Sequence, residues 1–165
     1  MALLAAGTQE HFMDLLSVDY SDRILSTYPG SGPRRGVMAE TALIAIVDDD
    51  RWMRRSLERL LKSAGFRAES FPSAEDFLDA SDHERIGCII LDITLPGMSG
   101  FELDRRLAEK HNRLPVVFVS AHDEPKVRNE AAQAEVVAFL GKPFDDNALL
   151  NAVNTALRLA KKRTQ

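Results

Sequence analysis

A chain of 165 residues with 45% hydrophobic and 28% charged content is ordinary globular material for one domain with a tail. Its 21 Lys and Arg against 25 Asp and Glu leave a net charge of −4, which argues against direct nucleic-acid binding, since that needs clustered cations to displace counterions. The start MALLAAGTQE lacks the basic region of a signal peptide, no segment approaches the ~20 apolar residues of a membrane span, and the lone Cys88 excludes an internal disulfide, so the expectation is a soluble cytoplasmic protein without membrane contact.

In chain order, residues 1–40 read as an N-terminal extension. QEHFMDLLSVDYSDRIL offers a short, weakly periodic helix with Phe12, Leu15 and Leu16 on one side, and STYPGSGPRRG reads as a linker, so that Met38 is a plausible alternative start. From residue 41 to about 162, short apolar runs alternate with helical patterns, the signature of parallel strands joined by crossover helices. The spacing predicts strands over 42–47, 66–71, 87–92, 115–120 and 136–140, and helices over 51–64, 73–80, 99–110, 123–133 and 145–161. Strands one, three and four are almost continuously apolar and so are expected to be covered on both faces, whereas the more amphipathic second belongs near an edge. The final helix closes the given sequence at LRLAKKRTQ, so no further domain is expected after it.

In such a doubly wound sheet, ligands bind beyond the carboxyl ends of the strands. Asp48 and Asp49 stand there after strand one, Asp92 after strand three, Ser120 after strand four and Lys142 after strand five. Three carboxylates at one point repel each other unless a hard divalent cation such as Mg²⁺ takes their oxygens as ligands. Lys142 and Ser120 add an ammonium and a hydroxyl, suited to holding the oxygens of a phosphoryl group on a carboxylate. Asp50 reads instead as the N-cap of the helix RWMRRSLERLLKSAG, Cys88 as a core residue, and His111 and His122 as residues without metal or catalytic partners.

The pair DD after strand one, LDITLPGMSG after strand three, VSAHDE after strand four and FLGKPF after strand five resemble, in order and spacing, the site motifs of response-regulator receiver domains. The resemblance covers about residues 41–160. It implies a flavodoxin-like α/β fold with five parallel strands in the order 2-1-3-4-5 and helices on both faces. It also implies that Asp92 accepts a phosphoryl group from a sensor histidine kinase or a histidine phosphotransfer protein, acting as a signalling receiver rather than an enzyme. Asp49 and Asp92 would hold Mg²⁺ directly, Asp48 through water, and Thr94 through its backbone carbonyl. Lys142 would pair with Asp92 and then with the phosphate, the bond before Pro143 would be cis, and Ser120 and Phe139 would be the switch pair facing an unknown protein target. Phe139 is equally readable as plain core.

Two departures from the family pattern stand out: Ser120 where many members carry Thr, and AAQAEVVAF without the usual glycine before strand five. Two alternatives accompany the receiver reading. One is an intermediate phosphoryl carrier in a relay. The other is a phosphatase of the haloacid-dehalogenase type, for which Asp48 and Asp50 would form the D-x-D pair of nucleophile and acid/base.

Overall fold

Strand β1 (Leu43–Val47) shows why this chain forms layers. Its side chains alternate between faces, so Ile44 and Ile46 enter one apolar cluster while Ala45 and Val47 enter another. A strand apolar at both parities needs helices on both sides, and β3 (Ile86–Asp92) and β4 (Val116–Ser120) repeat the pattern with nearly every residue buried. In contrast, β2 (Arg67–Phe71) alternates exposed Arg67 and Glu69 with partly buried Ala68 and Ser70, the pattern of a strand with one wet face.

The computed structural model describes residues 42–80, 83–110, 114–121 and 136–163. Helix α1 (Arg51–Ser63) follows β1, α2 (Ala74–Asp79) follows β2, a 3₁₀ turn at His83–Arg85 leads into β3, α3 (Gly100–Glu109) joins β3 to β4, and α4 (Asp146–Arg163) follows β5 (Ala138–Gly141). The extension with Phe12, Leu15 and Leu16, the helix expected over 123–133, and His111 and His122 lie outside the described residues. The described elements match the expected ones within two residues at each end, and the 3₁₀ turn is the addition.

All strands are parallel and lie in the order β2-β1-β3-β4-β5, which places the amphipathic β2 at an edge. Leu57 and Leu61 of α1 and Leu149, Val153 and Ala156 of α4 cover one face; Ala74 and Phe77 of α2 and Leu103 and Leu107 of α3 cover the other. Cys88 belongs to the first of these clusters and is fully buried, and burial pushes its thiol pKa up to about 12, which leaves it a core residue. No described helix is long and apolar enough to cross a membrane.

The strand register aligns the carboxyl ends. Val47 pairs with Leu91, so Asp48 follows directly beside Asp92; Asp92 pairs with Val119, and Ser120 with Gly141, the residue before Lys142. Residues far apart in sequence thus meet because hydrophobic pairing has already fixed the strands that carry them.

Candidate functional site

The β1–α1 turn begins with Asp48, which is only 1% exposed, and continues through exposed Asp49 and Asp50. Asp48 Oδ1 accepts the Asp50 N–H at 2.8 Å, closing a tight turn around its own carboxylate. Asp50 is extended and caps α1, its Oδ1 accepting from the N–H groups of Trp52 at 2.7 Å and Met53 at 3.3 Å. That carboxylate caps the helix and is not among the acids that converge in the crevice, which the D-x-D reading of Asp48 with Asp50 would require.

Asp92 ends β3 and is buried. Its Oδ1 accepts the Thr94 N–H at 2.8 Å, and its Oδ2 lies 2.6 Å from Lys142 Nζ. The same ammonium lies 2.7 Å from Asp48 Oδ2. Lys142 arrives on a defined path: its N–H donates to the Ser120 carbonyl at 2.8 Å and its bond to Pro143 is cis. Carboxylate oxygens of Asp48, Asp49 and Asp92 lie within 4.8 Å of one another. This is a hard, all-oxygen donor set, the chemistry that suits Mg²⁺, and the exposed Asp49 leaves one side open to water.

The electrostatics follow from burial. Desolvation raises the pKa of Asp48 above the ordinary carboxylate value, with the Asp92 charge adding to it and the Lys142 and Asp50 hydrogen bonds opposing. Burial alone would lower the pKa of Lys142, but its hydrogen bonds to Asp48 and Asp92 and their charges outweigh this, and the net shift is upward. Lys142 is therefore held as a cation between two acids.

The expected site residues separate into two groups. Asp48, Asp49, Asp92 and Lys142 converge, Thr94 touches Asp92 through its N–H, and Ser120 is buried at the end of β4 with its carbonyl on Lys142. Phe139 stands apart, half-buried opposite Phe118 and packed against the cluster on the α2/α3 face. Three contributors had not been expected. Arg54 Nη1 donates to the carbonyls of Asp48 at 2.8 Å and Asp49 at 3.0 Å. Glu75 Oε1 accepts the Met98 N–H at 3.0 Å, tying α2 to the loop after Asp92. Gly100 lets α3 begin against that loop, because a Cβ there would stand 2.4 Å from the Asp92 carbonyl oxygen.

The family profile of the response regulator receiver domain matches residues 44–154. The chain belongs to the response regulator receiver family. The receiver is 37% identical over 141 residues to response regulator protein TmoT of Ectopseudomonas mendocina, covering 86% of this chain and 64% of that protein. It is likewise 37% identical over 118 residues to transcriptional regulatory protein FixJ of Bradyrhizobium diazoefficiens, covering 72% of this chain and 58% of that one. The solved structure of response regulator StyR superposes with a TM-score of 0.70 at 42% identity, covering 76% of this chain and 63% of StyR. The matched receiver thus spans about three fifths of these relatives' length. With the strand order above, the fold is the flavodoxin-like one that the motifs implied, and the chain is a receiver of two-component signalling.

Proposed function

We propose that this receiver accepts a phosphoryl group on Asp92 from a phosphohistidine of a sensor kinase or histidine phosphotransfer protein, in a Mg²⁺-dependent reaction, and that another protein reads the modified form. The observation that carries this reading is the Lys142 ammonium, 2.6 Å from Asp92 Oδ2 and 2.7 Å from Asp48 Oδ2. It is a positive charge, preset among buried carboxylates, at the place where phosphoryl oxygens would arrive.

In the transfer, an Asp92 carboxylate oxygen attacks phosphorus, the new O–P bond forms, and the P–N bond to the donor imidazole breaks. The imidazole nitrogen leaves with the bonding electrons and is neutral once protonated. Asp48, Asp49 and Asp92 would hold the divalent cation, with Thr94 contributing through its backbone. A cation held there would supply neutralising charge to the transferring phosphoryl oxygens. Lys142 exchanges part of its pairing with Asp92 for those oxygens, and the Ser120 hydroxyl donates to another. Asp92 is fixed for attack by the Thr94 N–H on one oxygen and Lys142 on the other.

The relatives' names, a response regulator and a transcriptional regulator, support a regulatory role for the receiver; we place it in the cytoplasm with its kinase. The test is intact-mass spectrometry after incubation with Mg²⁺ and a small phosphodonor. Wild type should gain one alkali-labile phosphoryl group and Asp92→Asn none; a gain retained in Asp92→Asn would put the acceptor elsewhere.

A further inference from the structure

Arg54 does something its neighbours do not. The guanidinium groups of Arg51 and Arg55 lie over the Trp52 ring, 5.5 and 5.9 Å from its centroid, on the outer surface of α1, where Trp52 is 72% exposed. Arg54, next in line and partly buried, folds back toward the start of its own helix and donates from Nη1 to the carbonyls of both Asp48 and Asp49. That is the costly direction for a cation, because the helix macrodipole is positive at this end. The two charge-assisted bonds to carbonyls offset the cost.

We propose that Arg54 is a positioning residue for the divalent cation: by gripping the backbone of the acidic turn from behind, it holds the Asp48 and Asp49 carboxylates toward Asp92. The acids of the turn repel each other and Asp92, since carboxylate oxygens of Asp48, Asp49 and Asp92 lie within 4.8 Å of one another and Lys142 is paired with only Asp48 and Asp92. Among the described residues the turn is also tied by the Asp48 Oδ1 bond to the Asp50 N–H, the Lys142 ammonium on Asp48 Oδ2, the Asp50 cap on the Trp52 and Met53 N–H groups, and the backbone bonds Asp48 N–H to Phe71 O at 3.2 Å and Arg54 N–H to Asp50 O at 3.0 Å, but none of these holds the Asp48 and Asp49 carbonyls. Released from Arg54, the two carbonyls could rotate and take their carboxylates outward, and Mg²⁺ would then have to reorder the turn on binding. The inference rests on the Mg²⁺-binding reading above.

Its sign separates it from plain electrostatics. A guanidinium near a cation site repels the cation through space, so removing its charge should tighten Mg²⁺ binding if charge were all that mattered. A positioning role predicts the reverse, a loss on the order of 10-fold or more, as for other residues that orient metal ligands. The experiment is calorimetric titration of Mg²⁺ into wild type, Asp49→Ala, Arg54→Ala, Arg54→Lys, Arg54→Met and Arg55→Ala, with unfolding curves taken in the absence of Mg²⁺. We expect Arg54→Ala and Arg54→Met to bind at least ~10-fold more weakly, Arg54→Lys to recover part of the loss through its donors, and Arg55→Ala to bind no more weakly than wild type. Unchanged or tighter binding in Arg54→Met overturns the proposal, and this variant with Arg54→Lys decides the matter if the alanine variant does not fold. Failure of wild type to bind Mg²⁺, or indifference of Asp49→Ala, would instead overturn the reading on which the proposal rests.

Discussion

Lys142 holds the Asp92 carboxylate with its ammonium 2.6 Å from Oδ2, and it reaches there from just beyond β5, a strand separated from β3 by β4. Its side chain is 15% exposed, so this is an ion pair shielded from water and not a surface contact. Breaking a buried pair by removing one partner leaves uncompensated charge, so Lys142→Met should destabilise the protein by about 3 kcal/mol at neutral pH. The pH dependence has a definite sign. The folded-state pKa of Lys142 lies above its ordinary value of 10.5, so its stabilisation is complete below that pH and is lost as pH rises through the folded value. Urea unfolding midpoints measured between neutrality and the alkaline limit should therefore fall above pH 10.5 in wild type, and this part of the fall should be missing from Lys142→Met. Parallel curves for the two proteins would show that Lys142 gains nothing from its acids.

Removing Asp49 should act on the cation more than on the fold. Asp49 is exposed, so Asp49→Ala changes little packing while taking away both a ligand oxygen and a negative charge. Mg²⁺ affinity should drop by at least ~10-fold, with the unfolding midpoint in the absence of Mg²⁺ unchanged or slightly raised, because repulsion in the acidic group is relieved. Trp52, three residues from Asp49 and exposed, gives a fluorescence readout to set beside calorimetry. Wild-type affinity in this variant would remove Asp49 from the ligand set.

Gly100→Ala offers a test with opposing expectations. Glycine at a helical position is ordinarily replaced by alanine with a gain of roughly 0.4–1 kcal/mol. Here the added Cβ would sit 2.4 Å from the Asp92 carbonyl oxygen and 3.0 Å from the Ile93 Cα, both backbone atoms that cannot step aside cheaply. The overpacking should win, with a net loss of about 1–3 kcal/mol by urea unfolding and slower phosphoryl uptake as Asp92 shifts. A stabilised variant with normal uptake would show that the loop can yield.

The strands were readable because Ile44 to Val47, Cys88 to Leu91 and Val116 to Val119 are apolar at consecutive positions, and the edge place of β2 followed from its alternation. The acids and Lys142 were readable because each stands at the end of such a run, and the sheet register then aligns those ends. Arg54 was not, since in RWMRR nothing distinguishes it from Arg51 and Arg55; only the fold of the turn decides which guanidinium meets two carbonyls. Gly100 follows a serine that caps α3, so it reads as an ordinary helix start, and its close approach to Asp92 is a tertiary fact. Strand β5 was expected from Val136 but begins at Ala138, because Val137 meets β4 through one backbone bond before the ladder is established.

Modification at Asp92 should be felt beyond the crevice. A phosphoryl group brings roughly two negative charges and three acceptor oxygens, which attract hydroxyl and ammonium donors on adjacent loops. Ser120 ends β4 beside Gly141, and its carbonyl already holds the Lys142 N–H, so a pull on either the Ser120 hydroxyl or the Lys142 ammonium is transmitted to the end of β5. Phe139 lies two residues further back on β5, opposite Phe118, whose ring stacks edge-on with Phe101 of α3 at 4.9 Å. Because Phe139 is only half-buried, repacking it should cost less than moving a core aromatic, and the expectation is that β5 takes up a second arrangement when Asp92 is modified. Beryllofluoride with Mg²⁺, standing in for the phosphoryl group, should therefore change amide hydrogen exchange in β5 and the first turn of α4 of wild type. Ser120→Ala should still take up phosphate at Asp92 while losing most of that exchange response. Phe139→Ala should cost less than the ~3–5 kcal/mol of a fully buried phenylalanine, should be phosphorylated at close to the wild-type rate, and should show an altered response confined to β5. If exchange in wild-type β5 is the same with and without beryllofluoride, the modified site has no differential interaction with two states of the strand, and the chain is better read as a carrier that passes its phosphoryl group on.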